Sequence, residues 1–252
     1  MDRIDFTELR AEDVLNPNFI STYKERMEYF WPQLIRLNNN LYVVEQILYF
    51  PFKLFVDSIQ EVPFFLLVRE NFLDMSVLII NRLLNDDTER GYTLRAFKNK
   101  VMENALPLYK AELAQRTSLI DLKKLKEILK KVREIRNDRI AHAKDDFAFS
   151  LDPKDQLAIT DIMILRDRIN ELFDILSFSE HWGKTYPCYD PNNSSAADAD
   201  IVKVMDNLAF TSPLISLPER EPEYWLIRRN SLTEDDIKRI NHYRWKLGWS
   251  QI

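Results

Sequence analysis

The run Arg136-Asn137-Asp138-Arg139-Ile140-Ala141-His142 combines residue types that could do chemistry at close spacing. A guanidinium binds anions through a planar fork of donors, and an imidazole exchanges protons near neutral pH. The run closes a periodic segment. With Leu122 at zero and a helical step of about 100° per residue, Leu125, Ile128, Leu129, Val132, Ile135, Ile140 and Ala143 fall within one arc of roughly 140°. Arg136 and Arg139 fall inside that arc and His142 at its edge, while Asn137 and Asp138 lie outside it. A charge on a core-facing stripe must find partners, because a stranded buried charge is strongly destabilising. The face therefore reads as an interface or a site. The plainer reading runs each Arg stem along apolar surface with its head in water, and treats His142 as a satisfied structural residue. Asp138 stands four residues before His142, close enough on a helix to stabilise an imidazolium, which makes Asp138 the candidate orienter.

The elements that must position this run all read as helices. Asn16-Pro17-Asn18 reads as a cap ahead of a helix from Phe19, with breaks or kinks expected at Pro32 and Pro51. Leu37, Leu41, Val44, Ile47 and Leu48 continue the helical spacing over about 33–60. Pro63 suits the first turn of a helix ending near Asn85, followed by a polar turn from Asp86 to Gly91. Thr93 reads as the N-cap of a helix over 94–104, and the stretch after Pro107 continues helically to Gln115. Ser118 is placed as the cap of a long helix over 119–143, and Asp152-Pro153 as the opening of a helix through Phe178. Helices 62–85, 119–143 and 154–178 are expected to form one bundle. Beyond Ser179 the composition shifts. The stretch from His181 to Ala197 reads as a loop, Asp198–Leu208 as a short helix, and Pro213, Pro218 and Pro222 as keeping 210–223 irregular. Thr233 with Asp236 has the form of a capping box for a last helix reaching Leu247. Trp225, Trp245 and Trp249 lie in this tail, as packing anchors or as a partner or RNA-stacking surface. No segment shows strand alternation.

Composition removes several function classes. Only three glycines occur in 252 residues, which argues against Gly-rich phosphate loops and dinucleotide folds. Cys188 is the sole cysteine, so no internal disulfide and no multi-cysteine metal site can form. His181 and His242 lack metal-ligand spacing, so no metal and no cofactor is expected. The apolar stretch from Val62 to Leu84 carries Arg69, Glu70, Asn71 and Asp74, which makes it an amphipathic helix rather than a membrane span. The N-terminus is charged from Asp2 and Arg3 onward, unlike a secretory signal, so a cytoplasmic protein with no membrane partner is expected. The net charge of −5 is not that of a general nucleic-acid binder. Between Asp121 and Lys144, however, nine basic residues face four acidic ones. That stretch is either a phosphate-attracting helix or a solvated face with ion pairs such as Glu127–Lys131.

The Arg136-Asn137…His142 set resembles the signature of the HEPN superfamily: an Arg, a polar follower, and a His after four to six intervening residues. The Ile-Ala-His ending, followed by charged residues through Asp145, resembles the abortive-infection, AbiU-like group. Upstream, the apolar segment Ser76–Asp86 ends in acidic residues before Tyr92-Thr93-Leu94 opens the next helix, and the resemblance covers roughly 18–178. It implies an all-α fold, with a HEPN-like helical domain over 1–179. From the composition shift and the tail tryptophans, residues 180–252 are expected to form a Pro- and Trp-containing C-terminal extension, helical and irregular, that packs on the bundle. The resemblance implies a metal-independent ribonuclease that works as a homodimer, with Arg136, Asn137 and His142 catalytic and the ribose 2′-hydroxyl as internal nucleophile. Arg133, Arg139 and Lys144 are then the candidate RNA-binding residues. One His per chain cannot be acid and base at once, so a second copy supplies the other. The expected role is that of a prokaryotic toxin or phage-defence effector, with an antitoxin or partner protein in some members. One departure is plain: where HEPN toxins silenced by a nucleotidyltransferase carry a Tyr two residues after the His, this chain has Lys144. The alternative is a catalytically silent HEPN domain that binds RNA or protein.

Overall fold

Alternating steps of four and three residues separate Tyr23, Met27, Phe30, Leu34, Leu37 and Leu41, and all six are fully buried. That spacing keeps one side of a long helix in the core. Burying those side chains contributes on the order of 10 kcal/mol before the cost of chain ordering. The computed structural model describes residues 6, 8–55, 63–85, 92–120, 125–141, 157–179 and 196–252, apart from the side chains of 138, 139, 141 and 196–200.

In chain order the helices are α1 (Ala11–Val14), α2 (Ile20–Tyr49, entered by a 3₁₀ turn at Pro17–Phe19), α3 (Phe52–Phe55) and α4 (Pro63–Leu84). Next come α5 (Leu94–Asn104), α6 (Pro107–Ser118) and α7 (Lys126–Ile135), which passes into a π-helical turn over Arg136–Ala141. α8 (Ile159–Ser177), α9 (Ala196–Thr211), α10 (Pro213–Arg220), α11 (Pro222–Arg229) and α12 (Glu234–Lys246) complete the set. Among the described residues there is no strand, only an isolated bridge between Leu15 and Ala105, and the protein is all-α as expected. No helix among them is long and apolar enough to cross a membrane.

The chain divides into two compact units, Met1–Leu41 with Asn71–Cys188, and Tyr42–Glu70 with Tyr189–Ile252. In the first unit the α2 stripe shares one core with Ile80 and Leu83 of α4, Phe97 of α5, Val132 of α7, and Leu165, Ile169 and Phe173 of α8. The bundle expected from the three central helices is present. Polar side chains fix its register. The Tyr23 hydroxyl donates to the Leu176 carbonyl at 2.8 Å, and Asn170 Nδ2 donates to Asn38 Oδ1 at 2.9 Å. Thr93 caps α5 by accepting from the Ala96 amide, the role its position suggested.

In the second unit Ile47, Phe50, Phe52, Phe55 and Phe65 share a core with Met205, Ala209, Ile215, Trp225 and Ile240. Residues 42–70 thus join the C-terminal segment in one unit. The fully buried Arg244 guanidinium donates to the carbonyls of Ile215 (2.6 Å) and Ser250 (2.7 Å) and clasps both carboxylate oxygens of Glu219. Thr233 and Asp236 form the expected capping box of α12.

Several expectations are corrected. No break occurs at Pro32: α2 runs through it, because buried Phe30 and Leu34 hold both flanks in the core against a loss of about 3 kcal/mol. The stretch 210–223 is largely helical, since Pro213 and Pro222 each stand in a first helical turn, where the missing N–H is not needed. Ser118 is not an N-cap; it ends α6 and its hydroxyl donates back to the Gln115 carbonyl. The helix expected over 119–143 starts only at Lys126, after Leu125. α8 opens at Ile159 behind an extended Ala158, and the Asp152-Pro153 opening lies outside the described residues.

Candidate functional site

Leu125, Ile128, Leu129, Ile135 and Ile140 pack partly buried against the first unit's core around fully buried Val132. The apolar arc read from the sequence is therefore the face by which α7 docks. At Arg136 the helix changes character: Arg136–Ala141 forms a π-helical turn. Such turns widen the helix, disrupt its regular hydrogen bonding and recur at functional sites. A constant 100° step consequently misplaces whatever follows Arg136.

Arg136 itself is half-buried, and its partner comes from α4. Asn81, buried on that helix, faces the guanidinium. With its amide oriented to satisfy both side chains, Asn81 Oδ1 lies 3.1 Å from Arg136 Nε and 3.3 Å from Nη2. One turn further along, Asn85 Nδ2 donates to the Leu129 carbonyl at 3.1 Å. Asn81 opposite Arg136 and Asn85 opposite Leu129 lace α4 to α7 in antiparallel register. No carboxylate among the described residues forms an ion pair with Arg136. A neutral amide on the Nε edge aims a guanidinium without cancelling its charge, which leaves the Nη1/Nη2 edge able to meet an anion bidentately.

Asn81 escaped the reading of the sequence. The signal was there, because an Asn between Ile80 and Leu83 on an apolar helix must bury its amide and therefore needs a polar partner. Of the expected site residues, Arg136 and Asn137 sit at the start of the π turn, both half-buried, and Arg133 is exposed one turn earlier on α7. The side chains of Asp138 and Arg139, and residues His142 and Lys144, lie outside the described residues.

Charge along α7 follows both readings in part. The Glu127–Lys131 pair is not formed, and Lys130 reaches Glu134 instead at 3.7 Å, a pairing between exposed side chains worth a few tenths of a kcal/mol. Lys126, Lys130 and Arg133 are exposed. They border a cleft of about 780 Å³ between the ends of α4, α5, α6 and α7. Among the tail tryptophans, Trp225 is a core residue of the second unit, whereas Trp245 is 67% exposed. Trp249 lies beneath Arg244, with the guanidinium 5.5 Å from its ring centroid. No cluster of three or more His, Cys, Asp or Glu able to hold a metal occurs among the described residues.

A family model described as AbiU2, of the HEPN class, matches residues 20–202. No curated protein and no solved structure matches the chain.

Proposed function

Because this chain belongs to the AbiU2 family of HEPN proteins, we propose that it is a metal-independent endoribonuclease of abortive-infection type, acting in the cytoplasm as a homodimer. The observation that carries the reading is Arg136, held by the neutral amide of Asn81 at the mouth of a π turn inside the matched region. In this reading Arg136 binds the non-bridging oxygens of an RNA phosphate, where a fork of donors stabilises the charge that builds in the transition state. His142 of one copy takes the proton from the ribose 2′-hydroxyl. The 2′-oxygen bonds to phosphorus, the bond from phosphorus to the 5′-oxygen breaks, and His142 of the second copy protonates the departing oxygen. The products are a 2′,3′-cyclic phosphate and a 5′-hydroxyl. Placed acid–base groups of this kind contribute roughly 10²–10⁴-fold. Asn137, beside the Arg, completes the set, and Arg133, Arg139 and Lys144 hold flanking phosphates.

The test is incubation of the purified protein with total RNA in EDTA, beside His142→Ala and Arg136→Ala. Cleavage that survives EDTA, ends in cyclic phosphate and disappears in both variants is expected. Full activity of His142→Ala refutes the assignment, and strict dependence on Mg²⁺ assigns another chemistry. A second reading, a silent domain used for binding, is favoured by the second unit, where Tyr224, Leu226, Ile227 and Trp245 are all exposed. It predicts no cleavage by the wild type under any of these conditions.

A further inference from the structure

The cleft beside α7 has a composition unlike the rest of this acidic chain. Arg95 and Lys98 of α5 line it, together with Lys126, Lys130 and Arg133 of α7. Glu127 is the one carboxylate among its described lining residues. Buried Leu84, Ile120 and Leu172 make its floor. Five cations border one depression in a protein of net charge −5, so the local potential there favours an anion. Lys126 is the clearest case. It stands in the first turn of α7, where the helix dipole favours an acid, so the position is unfavourable for helix stability alone. Lys130 has a partner in Glu134, but that pair is exposed and long at 3.7 Å.

We propose that this cleft is an anchoring site for the phosphate backbone of single-stranded RNA, distinct from the motif and one helical turn away from Arg136. For the polymer's being RNA, the proposal rests on the ribonuclease reading above. The lining favours a backbone over bases, because none of its described residues is aromatic and none offers a stacking platform. Cations on two separate helices suit successive phosphates of one strand better than a single anionic group. Arg133 lines the cleft and Arg136 follows it by about one turn along the chain, so a strand held here leads toward the motif. Recognition through phosphates alone is indifferent to sequence. The cleft therefore sets where along a strand cutting occurs relative to an anchored segment, and leaves base choice to other contacts.

The experiment is fluorescence anisotropy with labelled 2′-O-methyl oligouridine and oligoadenine, which lack the attacking hydroxyl and so stay intact, over a series of NaCl concentrations, on the full chain. Arg95→Gln/Lys126→Gln removes two exposed cations of the cleft; Lys100→Gln/Lys110→Gln removes two exposed cations from outside it. Thermal melts establish that both variants fold, with Lys126→Gln expected to be no less stable than wild type. Wild type should bind the two oligomers with similar affinity. The cleft variant should bind at least tenfold more weakly, and its plot of log affinity against log salt should flatten by about 1.4, at roughly 0.7 per lost phosphate contact on a single strand. The control variant should bind and respond to salt as wild type does. Equal binding and equal slope in the cleft variant overturn the proposal. So does binding of ATP at micromolar concentration that the cleft variant loses while oligomer binding is kept, which makes the cleft a mononucleotide site. If oligomer binding falls in the cleft variant but no form of the protein cuts RNA, the anchor stands and the nuclease reading fails. If RNA is cut but the cleft variant binds normally, the anchor fails and the nuclease reading stands.

Discussion

The contact between Asn81 and Arg136 lends itself to a double-mutant cycle whose outcome follows from its geometry. Arg136→Ala leaves Asn81, only 4% exposed, with an amide oxygen that water reaches poorly, at a cost of about 1–3 kcal/mol. Asn81→Ala removes the same bonds from the other side and leaves a small void at a buried position, so a loss of about 2–3 kcal/mol is expected. The two hydrogen bonds come from a charged donor, which favours the upper part of the usual range. Their lengths of 3.1 and 3.3 Å, and the half-exposure of the guanidinium, pull the other way. The double variant should therefore be more stable than the sum of the single losses by about 1–2 kcal/mol. Urea unfolding of the four proteins, followed by circular dichroism at equal protein concentration, measures this coupling. Arg136→Lys in place of Arg136→Ala should recover little of it, because an ammonium cannot present two parallel donors to one oxygen. A coupling below about 0.3 kcal/mol, within the scatter of independent sites, would refute the pairing and with it the claim that α4 aims Arg136. If the nuclease reading also holds, Asn81→Ala should cut RNA roughly 10- to 100-fold more slowly with little change in KM, since each 1.4 kcal/mol lost from transition-state binding is about tenfold in rate.

Two further expectations concern the frame. Tyr23→Phe deletes the hydroxyl that satisfies the Leu176 carbonyl near the end of α8, so a loss of about 1–2 kcal/mol, seen as a Tm lower by a few degrees, should follow; an unchanged Tm would mean that the bond adds nothing to the fold. In the second unit the hydrogen bonds from Arg244 hold the Glu219 carboxyl below the ordinary glutamate range. A carboxyl with a lowered folded-state pKa contributes stability that is present above its unfolded value near 4.5 and is lost as pH falls through the folded value. Acid melts of wild type should thus show a loss below pH 4.5 that Glu219→Gln lacks, and identical pH profiles for the two would contradict the linkage.

What the sequence disclosed depended on whether a local rule could act alone. The α2 stripe, the Thr93 cap and the Thr233–Asp236 box are each set by a few neighbouring residues, and the folded chain keeps them. Proline misled because its effect depends on register. In mid-helix it removes a bond that is needed, whereas in a first turn it removes one that is not, so Pro213 and Pro222 start helices where a count of prolines suggests irregular chain. Ser118 misled in a related way, since a hydroxyl next to a helix end serves either side of the boundary, and here it closes α6.

The π turn shows how tertiary packing overrides a periodicity that is correct up to that point. Through Ile135 the constant step of about 100° places every apolar residue of α7 where the structure has it, against the core. Continued past Arg136, the same step leaves Ile140 at the very edge of the apolar arc. A turn closed by i→i+5 bonds holds more residues and so advances less per residue. The smaller advance carries Ile140 back into the arc, and Ile140 does pack on the core. Keeping that side chain docked compensates for the poorer hydrogen bonding of the turn. The consequence falls on the residues that share it: the helix widens directly beside Arg136, whose direction Asn81 has already fixed from the neighbouring helix. The feature that makes this stretch a candidate site thus arises from two contacts distant in sequence, Asn81 with Arg136 and Ile140 with the core, which no periodicity confined to residues 122–143 contains.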